Sequence, residues 1–598
     1  MRRFSVLLLI VTLVVALSPL SASNMQMIHP ITSEVHTAIT TLSIASGLAL
    51  PSSAGPWSSD ELAKMLNKID RAALSPSLQE VYDYAYQSVQ PVDRTFKFGL
   101  SVALEGYYHT DSVNFVNEPD WIRGFNEREP MLKVVLDTWP GKHFYGYSSL
   151  PVQPSKIKTT SKTEGLISQY FGRIPFTSNL YFLHPPLSIG DTDWGMPFRA
   201  FGAFGGENWS VQVGRDRLSW GPGVTGNLML GEHLKYHEMA RVTTYANNFK
   251  YTLVTSFFPH PKEFYPIIDD TTGNFTNKGH NPYDGLYMFL AHRLEWRMFR
   301  DTVGFALSEA IMYQSENNTL SIAVLNPSAI YHNYYINQNA NSLLTFDLDY
   351  TPIKGLNLYG QFALDEFAIP GIESAPGVVD GARPSAFGAL GGAKGVIALK
   401  RGVLTGSLEG AYTNPYLYLR EGRKSAYDSD TQTWDRTKWP IDFVVAIREL
   451  DKSGEALLDE TFIGYQYGPD AIVLNARVGY EEIGKWNVEG NFFYMWHGTH
   501  DKWTMYSGVA AGSGSNYPPY ASTPTDEHTQ GNYGDLNADK RNAVSRTLAL
   551  GVRGGYSILH NLDVYGQVDY IHVANPGNKR ENAPIQDMQV TVGIRYVL

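Results

Sequence analysis

Long stretches of this chain alternate strictly between apolar and polar residues. In TFKFGLSVALEGYY, residues 95–108, one face carries Phe96, Phe98, Leu100, Val102 and Leu104. The other carries Lys97, Gly99, Ser101 and Glu105. The same period recurs in SLLTFDLDY from Ser342, in LDVYGQVDY from Leu562 and in MQVTVGIRYVL from Met588. A period of two belongs to β-strands, because successive side chains leave a strand on opposite sides. These runs reach the roughly 9–11 residues of a tilted strand that crosses a bilayer. Strands of soluble sandwiches are shorter, about 5–6 residues.

The spacing between runs is asymmetric. Very short reversals occur at PGKH (Pro140), GGEN (Gly205), NNFK (Asn247), Arg300-Asp301, IKG (Ile353), Arg401-Gly402, GKW (Gly484) and LHN (Leu559), and the intervening connections are long and polar. Short turns on one side and long loops on the other characterise outer-membrane barrels. With the strand-like run TFIGYQYG around Ile463 assigned to a long loop, the alternation yields eight turns, nine loops and 18 strands. An even count places both termini on one side, the periplasmic one for this class. The expected fold is therefore all-β, a transmembrane barrel of about 18 antiparallel strands. Trp496, Tyr570 and Tyr412 fall near the outer strand ends, and Tyr350, Tyr480, Tyr556 and Tyr596 near the inner ones, as interfacial aromatic girdles do.

Composition fits. The 598 residues include no cysteine, so disulfides, thiolate metal sites and an N-terminal lipid-modified cysteine are excluded. Mean hydropathy is −0.23, as for a soluble protein, but a barrel with a polar lumen has the same average. Ahead of the strands, Arg2 and Arg3 precede the apolar run Val6–Leu17, and Ser21, Ala22 and Ser23 suit cleavage, so residues 1–23 read as a signal peptide. Losing Arg2 and Arg3 takes the net charge from −11 to −13, which argues against nucleic-acid binding. Residues 24–92 read as a helical segment on the periplasmic side. Ser58 and Glu61 form a capping box before Leu62, Met65, Leu66 and Ile69, and Pro76 opens a helix with Leu78, Val81, Tyr82 and Ala85 inward. So small a core calls for docking on something larger, the barrel of residues 93–598.

GRDRLSWGPGVTGNLMLGEH, from Gly214, closes the fifth strand. Strict alternation sends Arg215 and Arg217 outward with Val211 and Val213, and an arginine on the lipid face at mid-depth costs roughly 2–4 kcal/mol. The expectation is a bulge, or an exit from the hydrocarbon, that turns both arginines toward the pore. Pro222 and Gly223 make the following turn tight, and Trp220 then lies at the outer mouth or folds into the lumen.

At this stretch the chain resembles the capsule assembly Wzi family of outer-membrane proteins. The final Thr591, Gly593, Tyr596 and Leu598 also resemble the C-terminal signal that the barrel assembly machinery reads, with Leu598 in place of the usual Phe. The resemblance implies an 18-stranded barrel, a small periplasmic helical bundle, and a lectin-like role in which members bind capsular polysaccharide and help attach it to the cell surface. Arginine forks suit acidic sugars, and fixed aromatic faces suit sugar rings. The glycan-binding candidates are Arg215, Arg217, Trp220, Gly221, Pro222 and Gly223, with Arg420, Arg423, Trp434 and Trp439 from the loop that starts at Tyr416. The alternative role for Arg215, Arg217 and Trp220 is to buttress the pore wall.

The implied partners are surface polysaccharide and outer-membrane lipid, and no cofactor, metal or catalytic residue is assigned. DSDTQ, from Asp428, lacks the glycine and closing glutamate of a calcium loop, and His497 and His500 have no third ligand in sequence. A porin or selective channel is the alternative function, followed by an outer-membrane hydrolase. Nine long loops favour an occluded lumen over an open one.

Overall fold

The computed structural model describes residues 24–598 apart from parts of the long connections (116–121, 124–128, 153–156, 160–166, 170–178, 183–198, 262–266, 270–273, 277–284, 316–317, 321, 327–329, 332–339, 367–384, 420, 423–426, 429–432, 435–440, 451–455, 503–505, 508–523 and 527–540). The signal-peptide reading lies outside the described residues. Eighteen antiparallel strands follow one another around a closed barrel. They are β1 Phe96–His109, β2 Leu132–Thr138, β3 Phe144–Val152, β4 Ala200–Gly206, β5 Trp209–Asp216, β6 His237–Tyr245, β7 Phe249–Phe258, β8 Leu286–Met298 and β9 Val303–Ser315. The circuit continues through β10 Ala340–Ile353, β11 Leu356–Glu366, β12 Ala386–Ala398, β13 Val403–Thr413, β14 Ala471–Glu482, β15 Trp486–His497, β16 Ser545–Leu559, β17 Leu562–Ala574 and β18 Ile585–Val597. Closure comes from β18 against β1, from Gln589 opposite His109 to Val597 opposite Ser101.

All eight short reversals fall between the strands expected from their spacing. Several depend on residues that tolerate positive φ, such as Asn208 and Gly402. A side chain at Gly402 would also collide with the Tyr480 ring. TFIGYQYG belongs to the connection between β13 and β14, where Val444–Leu450 and Ala456–Phe462 pair as a hairpin of their own. One addition was not foreseen. β2 leaves β1 at Val102, and Leu180–Phe182 from the β3–β4 connection takes over the edge at Gly106–Tyr108.

The pleat sorts side chains as the alternation requires. Along β18, Met588, Val592 and Ile594 are exposed on the outer face, where a bilayer would lie, while Asp587, Gln589 and Thr591 are buried inside. Gly593 is inward too, and the Tyr565 ring occupies the space a side chain there would need. Among the described residues no helix is long and apolar enough to cross a membrane, so the crossing is made by strands.

Among the described residues, three α-helices precede the barrel: α1 Glu34–Ser46, α2 Ser59–Leu66 and α3 Pro76–Ser88. Ile39, Leu42, Leu62, Leu66, Leu78 and Ala85 form their shared core. Gly47 ends α1 in the left-handed conformation (φ 85). The helices dock on the short-turn end: Gly355 N–H donates to the Ile44 carbonyl (2.8 Å), and Ala49 N–H to that of Asp301 (2.7 Å). The capping box is half formed. Ser58 Oγ accepts from Glu61 N–H (3.2 Å), but the Glu61 carboxylate is taken by Lys250 Nζ on β7 (2.6 Å) instead of turning back to the helix.

Candidate functional site

The extended segment between α1 and α2 does not stay with the helices. It enters the barrel, and the polar groups of Leu50 to Pro56 are met by charged side chains on the inner wall. Leu50 N–H donates to Asp349 (2.7 Å), and its carbonyl accepts from Arg297 (2.8 Å). Ser52 Oγ donates to Glu295 (2.5 Å), Arg293 donates to Ser53 Oγ (3.0 Å), and Lys250 donates to the Ala54 carbonyl (2.7 Å). The Pro56 carbonyl accepts from Arg241. A buried charge is tolerated when it is paired and its hydrogen bonds are made, and these wall charges find those partners on the inserted segment.

The β5–β6 connection folds in from the opposite side to meet this plug. Ser219 and Trp220 pair with Gly55 and Ala54 as a two-residue ladder. Trp220 is 0% exposed. Its backbone N–H donates to the Leu230 carbonyl (3.1 Å), and its backbone carbonyl accepts from Gln361 (3.2 Å). The Gly-Pro-Gly turn is fitted to this berth. Gly221 has φ 137, and a Cβ there would lie 2.2 Å from Asn227 Oδ1; one at Gly223 would lie 2.0 Å from the Gly226 carbonyl. The Pro222 carbonyl accepts from Lys394 Nζ (2.7 Å). Glu409 clamps the next residues, accepting from Val224 N–H and Thr225 N–H, both at 2.7 Å, while the Tyr359 hydroxyl donates to it at 2.8 Å.

The two arginines do something else. The ladder of β4, β5 and β6 has no bulge: Arg215 stands opposite Ala200 and Glu238 in unbroken register. The expected turn toward the pore therefore does not occur at Arg215. The residue keeps the phase of Val211 and Val213 at the upper end of its strand, where Glu238 pairs with it (Nε to Oε1, 2.9 Å) and the Tyr236 ring lies 3.9 Å away. Neutralisation by a neighbour removes the need for a bulge. Arg217 follows in the connection and donates to the Glu232 carbonyl.

Further out, the same apolar core continues. Leu228 and Leu230 of the connection pack in one cluster with Tyr418, Phe443 and Ile463 of the β13–β14 connection. His500 is fully buried, with Nδ1 3.2 Å from Asp470 and 3.0 Å from Thr525 Oγ1. His497 bonds the Tyr467 carbonyl (2.9 Å), so both histidines tie loops together. Among the described residues no three metal-binding side chains converge. Arg420, Arg423, Trp439 and most of DSDTQ lie outside the described residues. The backbone of Trp434 pairs with Tyr427 in a short ladder.

Burial sets the charge of the histidines beside this plug and in the connection that meets it. Desolvation pulls His29 and His233 down to about 4 and His36 to about 3, so all three are neutral at physiological pH. His36 stacks on Trp57 (3.6 Å), and its Nε2 donates to the Ser52 carbonyl (2.9 Å), which fixes the tautomer. Sequence reasoning missed the wall residues Arg241, Lys250, Arg293, Glu295, Gln361, Lys394 and Glu409. Their signal was available: each is a charged or polar residue at an inward position of an alternating run.

No family model matches the chain, and no curated protein sequence matches it. Among solved structures it aligns with Wzi, an outer-membrane protein involved in group 1 capsule assembly in Escherichia coli and described as a carbohydrate-binding β-barrel. The alignment has a TM-score of 0.55 at 13% identity and covers 95% of this chain and 98% of that one. Looser alignments reach Pseudomonas aeruginosa OccK2 (OpdF) in complex with glucuronate (TM-score 0.35, 10% identity, 84% and 96% covered) and the outer membrane channel DcaP of Acinetobacter baumannii (0.32, 8%, 84% and 97%). The chain thus has the fold of an outer-membrane β-barrel.

Proposed function

We propose that this protein binds a cell-surface polysaccharide at its long-loop end and helps to anchor or assemble that polymer. Its short turns, helices and termini face the periplasm, and its last strand engages the barrel assembly machinery. The observation that carries the reading is the filled lumen. An open 18-stranded barrel would enclose an aqueous channel, whereas here apolar core runs from α1 through Trp220 to Phe443. A barrel so plugged is better suited to holding something than to passing it. The likeness to a carbohydrate-binding barrel supports a sugar polymer as what is held.

The corner at Trp220 is buried, so the polymer-binding surface is assigned to the long loops, with Arg420, Arg423, Trp434 and Trp439 as its candidates. An exposed arginine fork contributes roughly 1.5–3 kcal/mol to an acidic sugar. The test is surface-polymer retention in cells that carry Arg420→Ala with Arg423→Ala, or Trp434→Ala with Trp439→Ala, at wild-type levels of heat-modifiable barrel. Retention is expected to fall in both. Undiminished retention in both would remove these loops from the reading.

A further inference from the structure

Among the described residues, two cavities inside the barrel lie beside the plug. The smaller, about 340 Å³, lies between Thr37 and Thr41 of α1, Gly223 and Glu232 of the β5–β6 connection, and Thr405 and Ser407 of β13. The larger, about 430 Å³, follows the wall from β14 to β18 down to the turn at Gly484 and Trp486. Glu489 lines the first and Arg553 the second, and their side chains form an ion pair 2.8 Å apart. The Arg553 side chain is more than half exposed, so this bridge is a loose partition.

Glu232 sets the smaller cavity apart. Its carboxylate has no hydrogen bond and no ion pair among the described residues, although it lies inside the barrel and faces this space. Arg217, the nearest candidate partner, donates to the backbone carbonyl of Glu232 instead. Desolvation pushes its pKa up, against the pull of Arg217, Arg477 and Lys394. The side chain is exposed to this space, so its oxygens are open to accept from a ligand that enters it. The cations on the wall spend only part of their donor capacity on the corner: Lys394 gives one bond to Pro222, and Arg477 one to Val224 (3.3 Å). Hydroxyls of Thr37, Thr405 and Ser407 complete the lining.

We propose that this cavity binds a neutral polyhydroxylated ligand, a short saccharide, with Glu232 accepting from its hydroxyls and Lys394 and Arg477 donating to them. A sugar hydroxyl both donates and accepts, which matches a wall that offers one free carboxylate and several free N–H groups. Neutrality follows from the local charges. Of the charged residues that line it, Lys394 and Arg477 stand against Glu232 and Glu489, two against two, so a charge on the ligand has no counter-charge. The volume falls within the roughly 300–1,000 Å³ of small-molecule sites. This site is separate from the polymer surface proposed above and does not depend on it.

The test is calorimetric titration of the full-length protein in detergent with maltose as a neutral probe and glucuronate as a charged one. Saturable maltose binding is expected, in roughly the millimolar range for so few contacts. Glu232→Gln should weaken it roughly tenfold to a hundredfold, the effect of losing a charge-assisted hydrogen bond. The same change removes an exposed charge that makes no hydrogen bond or ion pair within the described residues, so barrel melting should hold, and surface-polymer retention should stay at wild type. Ser407→Phe fills the space without touching a charge and should abolish maltose binding in barrel that still shows heat modifiability. No saturable maltose signal in the wild type, maltose binding unchanged in Glu232→Gln, or glucuronate binding tighter than maltose would each overturn the proposal.

Discussion

Trp220 shows how one side chain can belong to the fold while looking, in sequence, like part of a binding surface. Tryptophan beside arginine and a rigid turn is a reasonable sugar-binding signature. Here the indole is fully buried between the plug strand at Ala54 and the return of its own connection at Leu230. Replacing a buried tryptophan by alanine costs about 3–5 kcal/mol. Trp220→Ala is therefore expected to lower the melting of the plugged barrel, with loss concentrated in protection of the segment from Leu50 to Pro56 against hydrogen exchange. Surface polymer should be retained normally by the protein that still folds. The opposite pairing, unchanged protection with lost polymer, would return Trp220 to the binding surface. Arg215 belongs to the same lesson. Its alternation phase was legible, but the remedy for its charge was not a bulge. It was Glu238, opposite it on β6, more than 20 positions along the chain and visible only through the register.

Among the elements, the inserted segment is held by neutral histidines as well as by ion pairs, and that makes its docking depend on pH. His29 and His36 of the N-terminal region have pKa values depressed from 6.5, chiefly by desolvation. In an undocked state each would titrate near 6.5, so the undocked form binds more protons between that value and the depressed ones. Docking is then strongest above pH 6.5 and weakens as pH falls toward 4 and, for His36, toward 3. Proteolytic nicking between α1 and α2, measured against pH, should rise along this limb. His36→Gln, which keeps a donor for the Ser52 carbonyl, should flatten part of it. A nicking rate independent of pH from 7 to 4 would show that these histidines do not govern docking. The elements themselves were legible to very different degrees. The strands and their eight turns could be read because period two and left-handed turn residues are local signals. The ladder between Ala54–Gly55 and Ser219–Trp220 could not, since two residues carry no period and their partners are more than 160 positions apart. The short Leu180–Phe182 strand that patches the β1 edge escaped for the same reason. The loops that carry Arg420 and Arg423 offered composition alone, which indicates chemistry but not place.

For the molecule as a whole, the question is whether an 18-stranded wall filled in this way conducts. The plug occupies the side lined by β6 to β11, where Arg241, Lys250, Arg293, Glu295 and Asp349 engage the inserted segment, and Gln361 engages Trp220. The polar space that remains follows β12 to β18 and is interrupted by the Glu489–Arg553 pair and by Arg123, which reaches in from the first long connection to Glu105 (2.6 Å). Wild-type protein in a planar bilayer is therefore expected to show conductance far below that of an open barrel of equal strand number. Gly221→Val drives a branched side chain into Asn227 and Gln361 at a backbone angle that only glycine takes readily, and so should release the corner from its berth. Releasing the corner breaks its ladder with the plug strand but leaves every wall strand intact. The variant should keep its heat-modifiable barrel and gain long-lived conducting states, more often at pH 4 than at pH 7 because the histidines, neutral when docked, take up protons on release. Large steady conductance in the wild type would replace the closed-barrel reading with a channel. Silence in both proteins would mean that the long loops alone seal the barrel and that the plug serves stability, not closure.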